Sequence, residues 1–295
     1  ASYTVKFDGN GASSGSMENQ KITYASGKAL TANKFKKKGY SFNGWNTKKD
    51  GSGTAYADKA DGSKLTKTDG KTVTLYAQWK KTKYTITYEL NKGTNNKKNP
   101  ASYTVTTDTI TLKNPTRKGY KFVGWYSDSK CSSDKKVTEI KKGSTGNKTL
   151  YAKWTANKYT ITFNGNGSTS GSMKKLSNRK YGKKYTLTKN GFKKKGYTFT
   201  GWNTKKDGSG KSYKNKAEVK NLSSKSGGKV TLYAQWKKTK YTITYNLNKG
   251  KNNKNNPSSY KITTKTIKLK NPTRKGYPFK GWYSDKKCTK KVTQI

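Results

Sequence analysis

One phrase recurs four times in this chain, and its spacing limits the fold more than any other feature. YTVKFDGNG begins at Tyr3, YTITYELNKG at Tyr84, YTITFNGNG at Tyr159 and YTITYNLNKG at Tyr241, in steps of 81, 75 and 82 residues. Repeats of this length mark a series of small folded units, not parts of one large domain. Composition agrees. Hydrophobic residues make up 28% of the 295 positions, well below the roughly 45 to 50% of ordinary globular chains, so no single large core can be built. The aromatic share of 13%, with 22 Tyr and 7 Trp, nevertheless separates the chain from disordered sequences of similar charge. Each buried aromatic ring removes on the order of 150 to 250 Å² from water, enough for a few to anchor a small unit.

The repeat is itself doubled. Met17 and Met173 lie 156 residues apart, while Trp45 and Trp202, Trp79 and Trp236, Tyr103 and Tyr260, Trp125 and Trp282, and Cys131 and Cys288 all lie 157 apart. The true period is therefore an A unit plus a B unit. The expected units are 1–83 (A1), 84–158 (B1), 159–240 (A2) and 241–295 (B2), the last lacking its closing strand. Within each, an alternating strand such as Tyr84, Ile86 and Tyr88 is followed by a Gly- and Asn-rich turn and a second strand. Then comes KKKGYSFNGWNT at 36–47, repeated as RKGYKFVGWYS at 117–127, KKKGYTFTGWNT at 193–204 and RKGYPFKGWYS at 274–284. A short strand closes each complete unit: TLYAQW at 74–79, TLYAKW at 149–154 and TLYAQW at 231–236. The best helix candidate is AEVKNLSS at 217–224, where Val219 and Leu222 are three apart. Only KKTK separates Trp79 from Tyr84, and only TANK separates Trp154 from Tyr159, so the units have no linkers.

The order strand, GY.F.GW and terminal LYA.W, every 75 to 82 residues, resembles the Listeria-Bacteroides repeat, the B-repeat of internalin-type surface proteins. The resemblance covers nearly the whole chain. It implies a small β-grasp-like fold, and an extracellular bacterial surface protein in which such repeats separate a ligand-binding head from the cell wall. It supplies no catalytic residues. The fold class expected is thus α+β and strand-dominated, a tandem array of β-grasp-like units forming an extended rod. The departures from the family pattern are the extreme lysine content and the ABAB alternation, so no specific partner carries over.

The residues themselves give little chemistry. There is no His, which removes the commonest general base and metal ligand at neutral pH. Asp58 and Asp61 are the nearest carboxylate pair, but the third unit has Asn215 and Glu218 in those places, and turn or cap roles explain them better. KKDGSG at 48–53 and 205–210 supplies a single carboxylate, Asp50 or Asp207, and reads as a tight turn in preference to a calcium loop. Trp45 and Trp79 could be stacking platforms for sugar or single-stranded nucleic acid, but in so apolar-poor a chain they are needed as core. No enzyme and no cofactor is expected.

Charge is the remaining feature. Sixty-six basic residues against 14 acidic give +52, and only Arg117, Arg179 and Arg274 are arginines, so the field is diffuse and suited to polyanions in general. The candidate polyanion-binding residues are Lys36, Lys37, Lys38, Lys80, Lys81, Lys83, Arg117, Lys118, Lys193, Lys194, Lys195, Lys237, Lys238, Lys240, Arg274 and Lys275. Solubility alone would explain the same runs. The partners expected are acidic cell-wall or host polysaccharides, nucleic acid without sequence preference, and neighbouring domains of a larger protein, without insertion into a membrane. Cys131 and Cys288 hold equivalent places in two copies of one motif and are expected to be unpaired. VTQI at 292–295 matches VTEI at 137–140, so a TLYA.W-like strand is expected about ten residues past Ile295 in the parent protein, by the logic of the repeat.

Overall fold

A computed structural model describes all residues, Ala1 to Ile295. The chain divides into two compact units, Ala1–Thr155 and Ala156–Ile295.

The first unit contains two five-stranded mixed sheets. In the first sheet the strands lie in the order Gln20–Thr23, Ser2–Asp8, Thr72–Lys81, Tyr40–Asn46 and Ala55–Tyr56. The opening strand Ser2–Asp8 and the closing strand Thr72–Lys81 run parallel, with Thr4 opposite Thr72 and Asp8 opposite Tyr76. The closing strand is therefore central, flanked by the opening strand on one side and by Tyr40–Asn46, the GW strand, on the other. The second sheet has the same order, read from the opposite edge, in Lys136–Val137, Tyr120–Tyr126, Lys148–Ala156, Tyr84–Glu89 and Ser102–Tyr103. In the second unit a third such sheet comprises Leu176–Lys180, Lys158–Asn164, Gly228–Lys238, Tyr197–Asn203 and Ser212–Tyr213.

The G-W spacing of the repeated motif has a geometric cause. Phe42 lies opposite Trp79 and Trp45 opposite Ala77, so three steps on the GW strand match two on the closing strand. This is a β-bulge, and Gly44 supplies it at φ +99°, where a Cβ would meet the Tyr56 carbonyl oxygen at 2.7 Å. The bulge brings Phe42 and Trp45 onto one face, with ring centroids 5.0 Å apart at 66°. The third sheet has the same irregularity between Phe199 and Gly201, and each complete module gathers its core around the GW tryptophan. Trp45 gathers Tyr3, Val5, Phe7, Ile22, Leu30, Leu75 and Ala77; Trp125 gathers Ile86, Tyr103, Leu112, Ile140, Leu150 and Ala152; Trp202 gathers Tyr159, Ile161, Leu187, Val219, Leu232 and Ala234. The second tryptophan of each module is half-buried and ties the closing strand to the turn after the opening one: Trp79, Trp154 and Trp236 donate their indole N–H to the carbonyls of Gly9, Leu90 and Gly165, each at 2.9 Å. Both tryptophans of a module are thus core and tether, as the shortage of aliphatic residues requires.

The helix expected at 217–224 is not formed. Glu218–Lys220 is a strand, antiparallel to Lys184–Thr186, with Val219 buried opposite Tyr185. Three residues separate Val219 from Leu222, a spacing that suits a helix, but Asn221 between them takes a left-handed φ of 58° and ends the strand in a turn. The helical content of the chain is one 3-10 turn, Ser133–Lys135. The fold is strand-dominated, built of several small sheets. No helix is long and apolar enough to cross a membrane.

Residues 241–295 follow the same plan without a closing strand. Their ordered pairs are Tyr241–Thr242 with Ser259–Tyr260 and Trp282–Tyr283 with Lys291–Val292. Tyr241, Ile262, Tyr277, Phe279 and Ile295 are exposed.

Candidate polyanion interface

In the first sheet the register brings two lysine runs to one end. Lys36, Lys37 and Lys38 lead into the GW strand, and Lys80 and Lys81 finish the closing strand, with Tyr40 opposite Lys81 and Ser41 opposite Lys80. Thr82 then donates its N–H to the Gly39 carbonyl at 3.0 Å, holding the junction that carries Lys83 beside the start of the GW strand. The third sheet repeats this arrangement. Lys193, Lys194 and Lys195 precede Tyr197, which lies opposite Lys238, Thr198 lies opposite Lys237, and Thr239 donates to Gly196 at 2.9 Å beside Lys240. Runs that are more than forty residues apart in sequence thus form one cluster in each A module.

The B modules differ. Arg117 and Lys118 precede their GW strand, but the closing strand there ends in Trp154, Thr155 and Ala156, with no second lysine run beside them. Arg274 and Lys275 precede Tyr277 in the fourth module, whose residues 241–295 include no closing strand to stand beside them. The candidate residues therefore make two built clusters and two isolated basic pairs.

One basic residue of each run lies on a tyrosine ring. The Lys37 ammonium is 4.9 Å from the Tyr40 ring centroid and that of Lys194 is 4.7 Å from Tyr197, while the Arg117 and Arg274 guanidinium groups lie 3.7 and 3.9 Å from Tyr120 and Tyr277. Such contacts are worth about 0.5 to 1 kcal/mol at exposed sites and fix the long side chain in place. Lys37 also reaches the turn after the opening strand, where a Cβ on Gly11 would stand 3.2 Å from its ammonium; Lys194 does the same above Gly167 at 3.1 Å. These four residues are held down, and Lys36, Lys38, Lys80, Lys81 and Lys83 with their counterparts remain extended into solvent. The ion pairs of the chain, Lys135–Asp134, Lys142–Asp108 and Lys184–Glu218, involve none of the candidates. No carboxylate is paired with either cluster.

The carboxylates weighed above serve their own turns. Asp50 accepts the N–H and hydroxyl of Ser52 at 3.0 and 2.8 Å, and these bonds hold its carboxyl below the usual range; Asp207 is held the same way by Ser209. The loop is anchored from beneath by buried Asn46, which accepts the Lys48 and Gly53 N–H groups and donates to the Gly51 and Gly53 carbonyls. Asp58 accepts the Asn33 N–H and Asp61 that of Ser63. Cys131 and Cys288 are both free, the first buried, with its thiol pushed up by burial, and the second exposed.

The four repeats also match a known family model. That of the Listeria-Bacteroides repeat domain matches residues 3–78, 84–153, 159–235 and 241–295. The chain belongs to this repeat family. Among similar proteins, one named "Putative membrane protein" from Evansella cellulosilytica is 33% identical over 242 residues, covering 79% of this chain and 33% of that protein. Internalin H of Listeria monocytogenes is 34% identical over 128 residues, 41% of this chain and 20% of its own length. The chain thus spans a third or less of the relatives it matches. Within these Listeria-Bacteroides repeats, a basic residue stands three before each motif tyrosine: Lys37, Arg117, Lys194 and Arg274 hold that place, and all four lie over the ring.

Proposed function

We propose that this chain is a non-catalytic spacer in a bacterial cell-surface protein, a stalk that holds another domain, such as an adhesive head, away from the wall. The observation that carries this reading is the parallel pairing of opening and closing strands in each complete module. Parallel strands make the chain enter a sheet at one end and leave at the other, so each module advances the chain by about 30 Å at roughly 3.3 Å per residue. Antiparallel ends would return it to its starting point. Linker-free junctions and mutual charge repulsion favour an extended rod of β-grasp-like modules, with irregular segments in the place of the usual helix. The names of the relatives, a membrane protein and an internalin, support an extracellular, surface-associated setting. Small-angle scattering on chains of one, two and three complete modules tests the reading. The maximum dimension should rise by a constant step per module, and a dimension growing only as a compact globule would contradict it.

A second reading is favoured by the two lysine clusters: direct binding of polyanions such as teichoic acid, glycosaminoglycan or extracellular DNA. Affinity would fall steeply with salt through counterion release and depend little on ligand sequence. Replacing Lys36, Lys38, Lys80, Lys81 and Lys83 with Gln should then shorten heparin-column retention more than replacing five scattered lysines. Equal shifts would assign the lysines to solubility alone.

A further inference from the structure

We infer that each complete module is a tension-bearing clamp, loaded in shear when the chain is pulled along its length. This goes beyond the spacer reading and does not depend on it, since it rests on strand order within one sheet.

The opening strand carries the chain into the module and the closing strand carries it out. These two strands are direct neighbours and parallel, with registers running from Thr4–Thr72 to Asp8–Tyr76, from Ile86–Lys148 to Glu89–Tyr151, and from Tyr159–Gly228 to Asn164–Tyr233. Pulling the ends of a module apart drags the opening strand backward and the closing strand forward along one shared line. The hydrogen bonds between them cross that line and are loaded together, so none can open ahead of the rest. The side chains resist the same slip. Val5 and Phe7 on one strand and Leu75 and Ala77 on the other are buried in the same core, and Trp79 is bonded to the Gly9 carbonyl just past the opening strand. Asn10, in the turn after that strand, adds a bond from its side-chain amide to the Ala77 carbonyl at 2.8 Å; Asn91 and Asn166 repeat it on Ala152 and Ala234 at 2.9 and 2.8 Å. Each closing strand is also held on its far side by the GW strand, so it acts as the fixed partner against which the opening strand must slide.

Residues 241–295 provide an internal control. Their opening strand is the short Tyr241–Thr242, paired only with Ser259–Tyr260, and no closing strand stands beside it. This module has no clamp and should extend without resistance.

The test is single-molecule pulling on the full chain. With handles at the two termini, three discrete ruptures are expected, the first module releasing about 250 Å of chain, and the fourth contributing no peak. The decisive comparison moves one handle. Ser2 and Lys71 lie at the same end of the strand pair, since the Ser2 N–H donates to Asp69 at 2.7 Å and the Thr4 N–H to the Lys71 carbonyl at 2.9 Å. Loading the first module through Ser2 and Lys71 peels its rungs one at a time, and the rupture force should fall severalfold. Forced unfolding reports the barrier and not the equilibrium stability, so this difference arises without any change in the module's sequence. Equal forces in the two geometries, or a fourth peak as high as the other three, would overturn the clamp. The scattering result on module number stands or falls separately.

Discussion

The second and fourth modules share one plan and differ by one strand. In the second, Lys148–Ala156 lies between Tyr84–Glu89 and Tyr120–Tyr126, and Ile86, Tyr103, Trp125 and Ile140 are buried around it. In the fourth, the counterparts Ile243, Tyr260 and Trp282 are only half-buried, Ile295 is exposed, and the opening strand shrinks from six residues to two. Local contacts survive the loss. Tyr245 still donates to the Pro257 carbonyl as Tyr88 does to that of Pro100, and Trp282 still donates to Lys270 as Trp125 does to Lys113. What disappears is everything that needs a central strand: the parallel ladder, the common core and the asparagine tether. The loops and hairpins of this fold are locally encoded, whereas its core is assembled by the last strand to be made.

The largest effect should come from restoring that strand. Extending the chain past Ile295 with the second module's own residues 141–154 should bury Trp282, seen as a blue shift in its emission, and slow the reaction of the Cys288 thiol toward that of buried Cys131. An extended chain whose Cys288 stays as reactive as before would show that the two modules differ for another reason. The converse change weakens the second module. Leu150 is 2% exposed on the closing strand, and Leu150→Ala should cost about 2 to 5 kcal/mol in denaturant unfolding of that module. A cost below 1 kcal/mol, on the scale of a surface substitution, would place the closing strand outside the core.

The smallest effect is one of pH. Burial pushes the Tyr88 hydroxyl up to about 12. Between the ordinary tyrosine value near 10 and about 12 the unfolded chain gives up this proton while the folded module keeps it. Stability of the second module should therefore fall across that interval and be unaffected by this group below it. Tyr88→Phe should flatten part of the decline; an unchanged alkaline profile would deny Tyr88 a role in it.

Much of this was legible in the sequence. The period, the strand at each YTIT and LYA.W, the burial of the tryptophans and the lack of a closing strand within 241–295 all follow from alternation and repeat, because they concern which residues must face inward. The helix at 217–224 misled because a three-residue spacing of Val219 and Leu222 fits a helix as well as a strand that turns at Asn221. The lysine clusters were half legible: the runs are plain in the sequence, but their meeting depends on the Tyr40–Lys81 register. The tyrosine-bound members, Lys37, Lys194, Arg117 and Arg274, differ from their solvated neighbours only in standing three residues before the motif tyrosine, a spacing that gains its meaning from the turn at the intervening glycine and not from residue type.

The account turns on the closing strand as the partner of the opening one, and amide hydrogen exchange reads that pairing directly. In the second module the Ile86 N–H is bonded to the Ala101 carbonyl, away from the closing strand, so alternation along the strand aims the Thr87 and Glu89 N–H groups at it. In the fourth module Ile243 is bonded to Ser258 in the same way, and Thr244 and Asn246 face the side where no strand lies. The amides of Thr87 and Glu89 should exchange orders of magnitude more slowly than those of Thr244 and Asn246, which should exchange at nearly the rate of an open chain. Matched protection at the two pairs of positions would contradict the account.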